Sequence, residues 1–360
     1  MRILFTTTPG RGHYHPMLGL ATACRERGHE VAWAAHETAC AQLRRAGFET
    51  AVAGLPEGIT SAGLAERYPE LMALGHADRP NFLFAKIFGS DRAGPMLEDL
   101  LPIVETHEPS LLVCDQAELA GPIAAALAGV SNVTHGFGHP LPRDRVARAG
   151  DEMAGLWAAH GLEPRPYAGT YDYLYLDIYP ESLKTDDSSH IAEIQQVRPA
   201  AAPAPEAPEP HWVDDGAPLI YVTFGTVFNS DIDVIRTVLE GIRELPVRVV
   251  ITCGPGRNVR ALGDQPANVH VADYIPQARL LPHCAAVASH AGSGTFLAAL
   301  AAGLPQLLLP QAADSSSTRR LAPRQGSASQ SSPTASPRPP SRTRSQSCSA
   351  TPPIASRRSV

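Results

Sequence analysis

Ala285-Ala-Val-Ala-Ser-His-Ala-Gly-Ser-Gly-Thr295, continued by an alanine-rich run to about Ala302 and then by Leu304-Pro-Gln-Leu-Leu-Leu-Pro-Gln-Ala-Ala-Asp314, is the stretch that decides the fold. Ala285–Ser289 is short and apolar and reads as a buried strand. The glycines after His290 make a turn, and the following residues read as a helix. A second apolar strand closes on an acidic residue, Asp314. Strand, glycine-rich turn, helix and strand form the repeating unit of a parallel α/β sheet. Such a turn presents backbone N–H groups and the positive end of a helix dipole to an anion. His290 adds a donor suited to a diphosphate, although one glycine-rich turn alone is a weak signal.

The alternation continues upstream: Leu219–Phe224 strand, Gly225-Thr226 turn, Asp231–Glu244 helix and Val247–Thr252 strand, then further elements at Val269–Val271 and Arg279–Leu281. Val197 to Pro210 is proline-rich and reads as a semi-rigid linker. Before it the pattern runs as strand Ile3–Thr8, helix Pro16–Arg27 with Gly28 past its end, strand Glu30–Ala35, helix Glu37–Ala46, strand Leu111–Cys114 and helix Gly121–Ala128. Asp78–Asp91 and His135–Asp172 lack clear periodicity and read as loops or irregular helices. The expected organisation is a Rossmann-like domain over 1–196, a linker over 197–212, a second Rossmann-like domain over 213–314 and a tail over 315–360. Two such halves face each other across a cleft at their C-terminal strand edges.

Charge bounds the partners. The net charge is −6, yet residues 315–360 hold eight Arg and no acid. Residues 1–314 therefore carry 22 basic against 36 acidic side chains, a balance of −14. An acidic body argues against nucleic acid as a partner. The six cysteines (24, 40, 114, 253, 284, 348) have no C-x-x-C pair or ligand spacing, which fits free thiols in a reducing compartment. The N-terminus reads as a strand rather than a secretory signal, and the longest apolar stretch, Phe296 to Leu309, is broken by Gly303-Leu-Pro305 and is too short to span a bilayer. A cytoplasmic protein is expected.

Gly12-His13-Tyr14-His15-Pro16 sits at the C-terminal edge of the first strand. His13 reads either as a general base at the cleft or as a turn histidine capping a helix. Asp115 ends a strand on the same edge, so it reads either as the acid that orients His13 or as a loop cap. Thr223-Phe-Gly-Thr226 is able to place an amide and a hydroxyl on a phosphate. Tyr274, in Asp273-Tyr-Ile-Pro-Gln277, reads as a base-stacking ring or as a core tyrosine.

Taken together, Gly12-His13-x-x-Pro16, Tyr221-Val-Thr-Phe-Gly-Thr226, Tyr274-Ile-Pro-Gln277, His290-Ala-Gly-Ser-Gly-Thr295 and Gly303-x-Pro305…Pro310-x-x-x-Asp314 resemble the nucleotide-sugar glycosyltransferases of macrolide, glycopeptide and enediyne biosynthesis in actinomycetes and, more distantly, plant UDP-glycosyltransferases. The resemblance covers nearly all of Met1 to Asp314. It implies a GT-B fold and metal-independent, inverting transfer from a UDP- or dTDP-sugar to a small lipophilic acceptor, with no cofactor beyond that co-substrate. By the same resemblance His13 deprotonates the acceptor hydroxyl with Asp115 as its partner. Thr226, His290, Ser293, Gly294 and Thr295 hold the diphosphate, with Gly225 and Gly292 also in the donor site, Tyr274 and the Ile275 backbone meet the base, and Asp314 meets the sugar hydroxyls. Loops around Phe82–Phe88, His135–His139 and Tyr167–Tyr175 are expected to line the acceptor pocket, with Phe82, Phe88 and Phe137 as contacts.

The family pattern continues after its aspartate with Gln, Phe, a variable residue, Asn and Ala, whereas this chain has Ser315-Ser-Ser-Thr-Arg319. Residues 315–360 hold 14 Ser, eight Arg and seven Pro, too little apolar surface to fold. A disordered tail and a one-base frameshift both account for this, and the second is favoured. GAC CAG TTC CTC AAC GCG G encodes Asp-Gln-Phe-Leu-Asn-Ala, and loss of one C gives GAC AGT TCC TCA ACG CGG, which encodes residues 314–319 as they stand. The shifted form is expected to be weakly stable and impaired. A non-catalytic nucleotide-sugar-binding or partner protein on the same fold is the alternative, and a GT-B epimerase fits the motifs less well.

Overall fold

The computed structural model describes residues 1–56, 61–75, 77–184, 187–199, 216–224, 232–242, 244–254, 263, 265–309 and 328–330. Its first sheet contains β1 (Arg2–Thr6), β2 (Glu30–Ala35), β3 (Glu49–Val52), β4 (Leu111–Asp115), β5 (Ser131–His135), β6 (Leu174–Asp177) and β7 (Ile194–Gln196), in the spatial order β3-β2-β1-β4-β5-β6-β7. The second contains β8 (Leu219–Thr223), β9 (Arg248–Thr252), β10 (Val269–Ala272), β11 (Cys284–Ser289), β12 (Gln306–Leu308) and β13 (Ala328–Gln330), in the order β10-β9-β8-β11-β12-β13. Every pairing is parallel. Each sheet thus grows from its centre to one edge and restarts on the other side of its first strand. This is the Rossmann order, with switch points at β1/β4 and β8/β11, where ligands bind beyond the carboxyl ends of the strands.

The strand sequences explain the burial. In β1, Leu4 faces a core shared with helices Ala93–His107 and Gly121–Ala128. Ile3 and Phe5 face the opposite core, built on helices Arg11–Glu26 and Glu37–Arg45. A strand buried on both faces has to read as a continuous apolar run. The covering helix buries Tyr14, Met17, Leu18 and Ala21, the spacing of one helical face. The second sheet repeats the plan, with one core around Leu219, Tyr221 and Val250 and another around Val222, Val249 and Ile251. Both sheets belong to one compact unit, residues 1–330. Ile178, Tyr179 and Leu183, after β6, share a buried cluster with Ala291, Phe296, Leu297 and Leu308 from the second sheet's region.

Four expectations are corrected. The first helix begins at Arg11 rather than Pro16, so His13 lies within its first turn. Pro16 lies inside the helix, where it forgoes the bond its N–H would have made to the Gly12 carbonyl and its ring crowds that carbonyl. Of the two readings of the stretch 78–91, loops or irregular helices, the second holds and the first is set aside: Arg79–Phe84 is followed by a π-helical segment Ala85–Arg92. The stretch 135–172 contains a 17-residue helix, Arg143–Ala159. A Cβ on its Gly150 would come within 3.0 Å of the Tyr167 and Ala168 backbone nitrogens, so the glycine serves close packing. Last, the second sheet does not end before the tail, because Ala328–Gln330 adds a parallel edge strand to β12. An edge strand presents unpaired backbone groups to any extended segment, and pairing by main chain needs no apolar side chains. Most of the linker at 197–212, and the rest of the tail, lie outside the described residues.

Among the described residues no helix is long and apolar enough to cross a membrane, and no group of three or more His, Cys, Asp or Glu side chains could hold a metal ion. Cys24, Cys40, Cys114, Cys253 and Cys284 are free thiols.

Candidate active site

The β1/β4 switch point sets the first half of the site. Gly10, at φ +114°, turns the chain into the helix, a left-handed conformation that favours glycine. One turn later His13 Nδ1 lies 3.1 Å from Asp115 Oδ1. Asp115 is fully buried at the end of β4 and accepts from every direction. Its Oδ2 takes Thr7 Oγ1 (3.1 Å), Thr8 N (2.8 Å) and Thr8 Oγ1 (3.0 Å). Its Oδ1 takes Ala117 N (2.8 Å) as well as His13. Burial works to raise the Asp115 pKa, but the His13 charge and hydrogen bonds from His13, Ala117 and Thr8 bring it below the usual carboxylate value. An ionised carboxylate only accepts, so Nδ1 of His13 carries the proton and the imidazole lone pair sits on Nε2.

The His13 side chain is 22% exposed. Phe137 meets its ring edge-on at 5.0 Å between centroids, and Phe88 lies 5.9 Å away. Two of the three expected acceptor contacts are therefore at the histidine. Phe82 is not. It is buried against Tyr68 and Leu71 in a separate cluster, under the Arg148 guanidinium. The π-helical segment changes the phase of the helix between the two phenylalanines and brings Phe88 round to the sheet edge. Phe88 also lines a recess with Thr8, Leu55, Met96, Glu118 and Leu119.

Nearby titratable groups are set apart from the pair. Burial, then the Arg11 charge, pushes His15 down to about 4, and burial pushes His135 down to about 4. Both are neutral at pH 7. Glu118 caps the entry of helix Gly121–Ala128, accepting from Thr6 Oγ1 (2.5 Å), Ala120 N (2.8 Å) and Gly121 N. Burial pushes it up to about 7 against those bonds.

The β8/β11 switch point forms the second half. His290 follows β11 and donates its N–H to the Thr223 carbonyl at 3.2 Å. Ala291 holds φ +66°, a sparsely populated conformation for a residue with a Cβ. A Cβ on Gly292 would lie 2.3 Å from His290 Nε2, so the imidazole folds over this residue and only glycine fits. Gly292 is also the cap of helix Ser293–Ala301 and makes no side-chain capping bond. Ser293 and Thr295 are buried and Gly294 is exposed. Gln277 Nε2 donates to Thr295 Oγ1 at 2.8 Å, joining the Tyr274-Ile-Pro-Gln277 loop to that helix entry. Ile275 packs into the core beneath, whereas Tyr274 is 43% exposed. Gly225, Thr226 and Asp314 lie outside the described residues.

One contact bridges the halves, and the sequence reading did not include it. The Arg11 guanidinium lies over the Tyr274 ring, 4.3 Å from its centroid. Arg11 opens the helix that carries His13, so this contact links that helix to the Tyr274 loop.

The solved structure of spinosyn rhamnosyltransferase SpnG complexed with thymidine diphosphate superposes on this chain with a TM-score of 0.74 at 26% identity, over 92% of this chain and 86% of that one. The fold is GT-B, and the chain is a glycosyltransferase. Residues 236–335 match the family described as erythromycin biosynthesis protein CIII-like, C-terminal domain. The chain is 31% identical over 322 residues to L-demethylnoviosyl transferase of Streptomyces niveus, covering 87% of this chain and 80% of that protein. It is 26% identical over 358 residues to aclacinomycin-T 2-deoxy-L-fucose transferase of Streptomyces galilaeus, covering 86% and 79%. The chain belongs to the antibiotic-biosynthesis glycosyltransferases.

Proposed function

We propose that the protein transfers a sugar, with inversion and without a metal, from a dTDP- or UDP-sugar to a hydroxyl of a small lipophilic acceptor, and that His13 is the base. The observation that carries this reading is the His13–Asp115 pair. A histidine whose Nδ1 proton is fixed by a buried carboxylate has its basic nitrogen at Nε2, next to two phenylalanine rings suited to an apolar or planar acceptor. Nε2 removes the hydroxyl proton as the oxygen attacks the anomeric carbon, and Asp115 stabilises the resulting imidazolium. The bond from the anomeric carbon to the diphosphate oxygen breaks on the opposite face, which inverts the centre.

The leaving diphosphate gains charge as that bond breaks. Supporting its placement at Ser293–Thr295 are the uncapped helix entry, the two hydroxyls and His290. Tyr274 supplies the surface for the base. Thymidine diphosphate bound to SpnG favours a dTDP donor.

Incubating the whole chain with dTDP- and UDP-sugars and a panel of hydroxylated aromatic acceptors tests this. Release of nucleoside diphosphate that persists in EDTA, with an inverted anomeric centre by NMR, is the expected result. Nucleotide binding without turnover in any pairing would instead establish the non-catalytic reading.

A further inference from the structure

We infer that Arg11 is a donor-binding residue, supplied from the half of the molecule that carries His13, and that its guanidinium neutralises the diphosphate of the bound nucleotide. This inference rests on the donor site proposed above. An arginine in a folded protein normally has a carboxylate or a set of carbonyls around its fork. Among the described residues Arg11 has an aromatic face, Tyr274, and no carboxylate in ion-pair range. Its charge is felt instead by His15, where after burial it is the second cause of the depressed pKa. A cation left without counter-charge at a cleft is an electrostatic request for an anion.

The position identifies the anion. Tyr274 belongs to the loop that Gln277 ties to Thr295, at the entry of helix Ser293–Ala301. His13, two residues from Arg11, marks the other side of the same cleft. The Arg11 guanidinium therefore lies on the ring proposed for the base, in the loop that Gln277 ties to the helix entry proposed for the phosphates. A cation on an exposed aromatic face is held more weakly than one making charge-assisted bonds to phosphate. Binding of a nucleoside diphosphate gives the base the ring and gives Arg11 the phosphate oxygens, an exchange that favours the bound state. The flexible arginine stem allows this without movement of the helix backbone. The chemical class recognised is a nucleoside diphosphate, and the diphosphate rather than the base is what Arg11 reads.

The test compares thymidine with thymidine diphosphate, and uridine with uridine diphosphate, binding to the full chain by calorimetry or competition. The variants are Arg11→Met, which keeps an apolar stem over Tyr274, and Arg11→Lys, which keeps the charge without the fork. Arg11→Met is expected to weaken diphosphate binding about tenfold or more, the scale of a lost charged hydrogen bond, and nucleoside binding less than about twofold. Arg11→Lys falls between, and the salt dependence of diphosphate binding is shallower in Arg11→Met than in wild type. Equal loss for nucleoside and diphosphate, or no loss for either, overturns the inference while leaving the donor site intact. Wild-type protein that binds none of the four ligands overturns the donor site, and the role of Arg11 with it.

Discussion

Asp115→Asn is the perturbation that most directly probes the proposed chemistry. The carboxylate accepts five hydrogen bonds, three on Oδ2 and two on Oδ1. An asparagine turns one of those atoms into a donor. At Oδ2 the new NH2 faces the Thr8 N–H, and at Oδ1 it faces the Ala117 N–H and His13. Either orientation opposes a fixed backbone donor, which costs about 1–3 kcal/mol of stability. The catalytic loss is larger. The His13–Asp115 contact of 3.1 Å separates the charge centres by roughly 4 Å, and at an effective dielectric of about 20 that attraction is worth about 4 kcal/mol to the imidazolium. Losing it lowers turnover about 10³-fold. Diphosphate release under saturating donor, followed beside thermal unfolding, separates the two effects. The native Asp115 pKa is lowered, so its stabilising contribution is present above the unfolded value of 3.8 and disappears as pH falls through the native one. The stability gap between wild type and variant therefore narrows below about pH 4. A folded Asp115→Asn protein with turnover within about twofold of wild type would refute the assignment of His13 as a base oriented by Asp115.

Three further outcomes are expected. Glu118 has a native pKa raised to about 7 from 4.5, so wild-type stability falls as pH rises between those values. Glu118→Gln, whose amide Thr6 can accept, should equal wild type at pH 5 and be more stable than wild type at pH 8 by about 1–3 kcal/mol, read from denaturant unfolding; an unchanged difference across that range would count against it. Gly292→Ala places a Cβ on the His290 ring and should reduce nucleotide diphosphate affinity at least about tenfold with little change in circular dichroism, whereas undiminished affinity would remove His290 and this turn from the donor site. Sequencing the gene, together with intact-mass measurement of the expressed chain, is expected to reveal a one-base loss after the Asp314 codon; confirmed codons for 315–360, with no family-like helices in another frame, defeat that reading.

What was legible in the sequence follows a physical line. β1, β2, β4, β8 and β11 are buried on both faces, so their composition alone marks them, and the alternation with helices fixes the parallel α/β class. β5 was not legible, because Ser131-Asn-Val-Thr-His135 looks polar. Its buried side chains are satisfied from far along the chain: Asn132 by the Gly169 carbonyl, Thr134 by that of Thr170. Helix Arg143–Ala159 lacked a clear apolar period in the sequence, and its Gly150 makes a close approach to a segment the sequence does not place. The His13–Asp115 contact was legible because Asp115 ends a strand that composition marks and His13 lies in the first turn of the helix that follows another. Phe82 and Phe88 were given the same role, since nothing in their composition reveals a π-helical segment between them.

Arg11 belongs to a different category of invisibility. Its neighbours in sequence say only that it opens a helix, and its partner Tyr274 lies in the other sheet's loops. The pairing exists because residues that follow strands of two different sheets meet within one compact unit. The same condition governs the whole site. The proposed base follows one sheet and the proposed diphosphate cradle follows the other, so on this reading the catalytic geometry depends on the contacts that hold the halves together. Tyr179 stacks on Phe296 at 6.1 Å, and His139 meets Tyr179 edge-on at 5.0 Å. His139 lies two residues from Phe137, which touches His13, and Phe296 lies one residue from Thr295. The aromatic contacts between the halves therefore lie close in sequence to both the proposed base's neighbour and the proposed diphosphate turn. A substitution in them is expected to act on turnover through the distance between base and leaving group, without touching either.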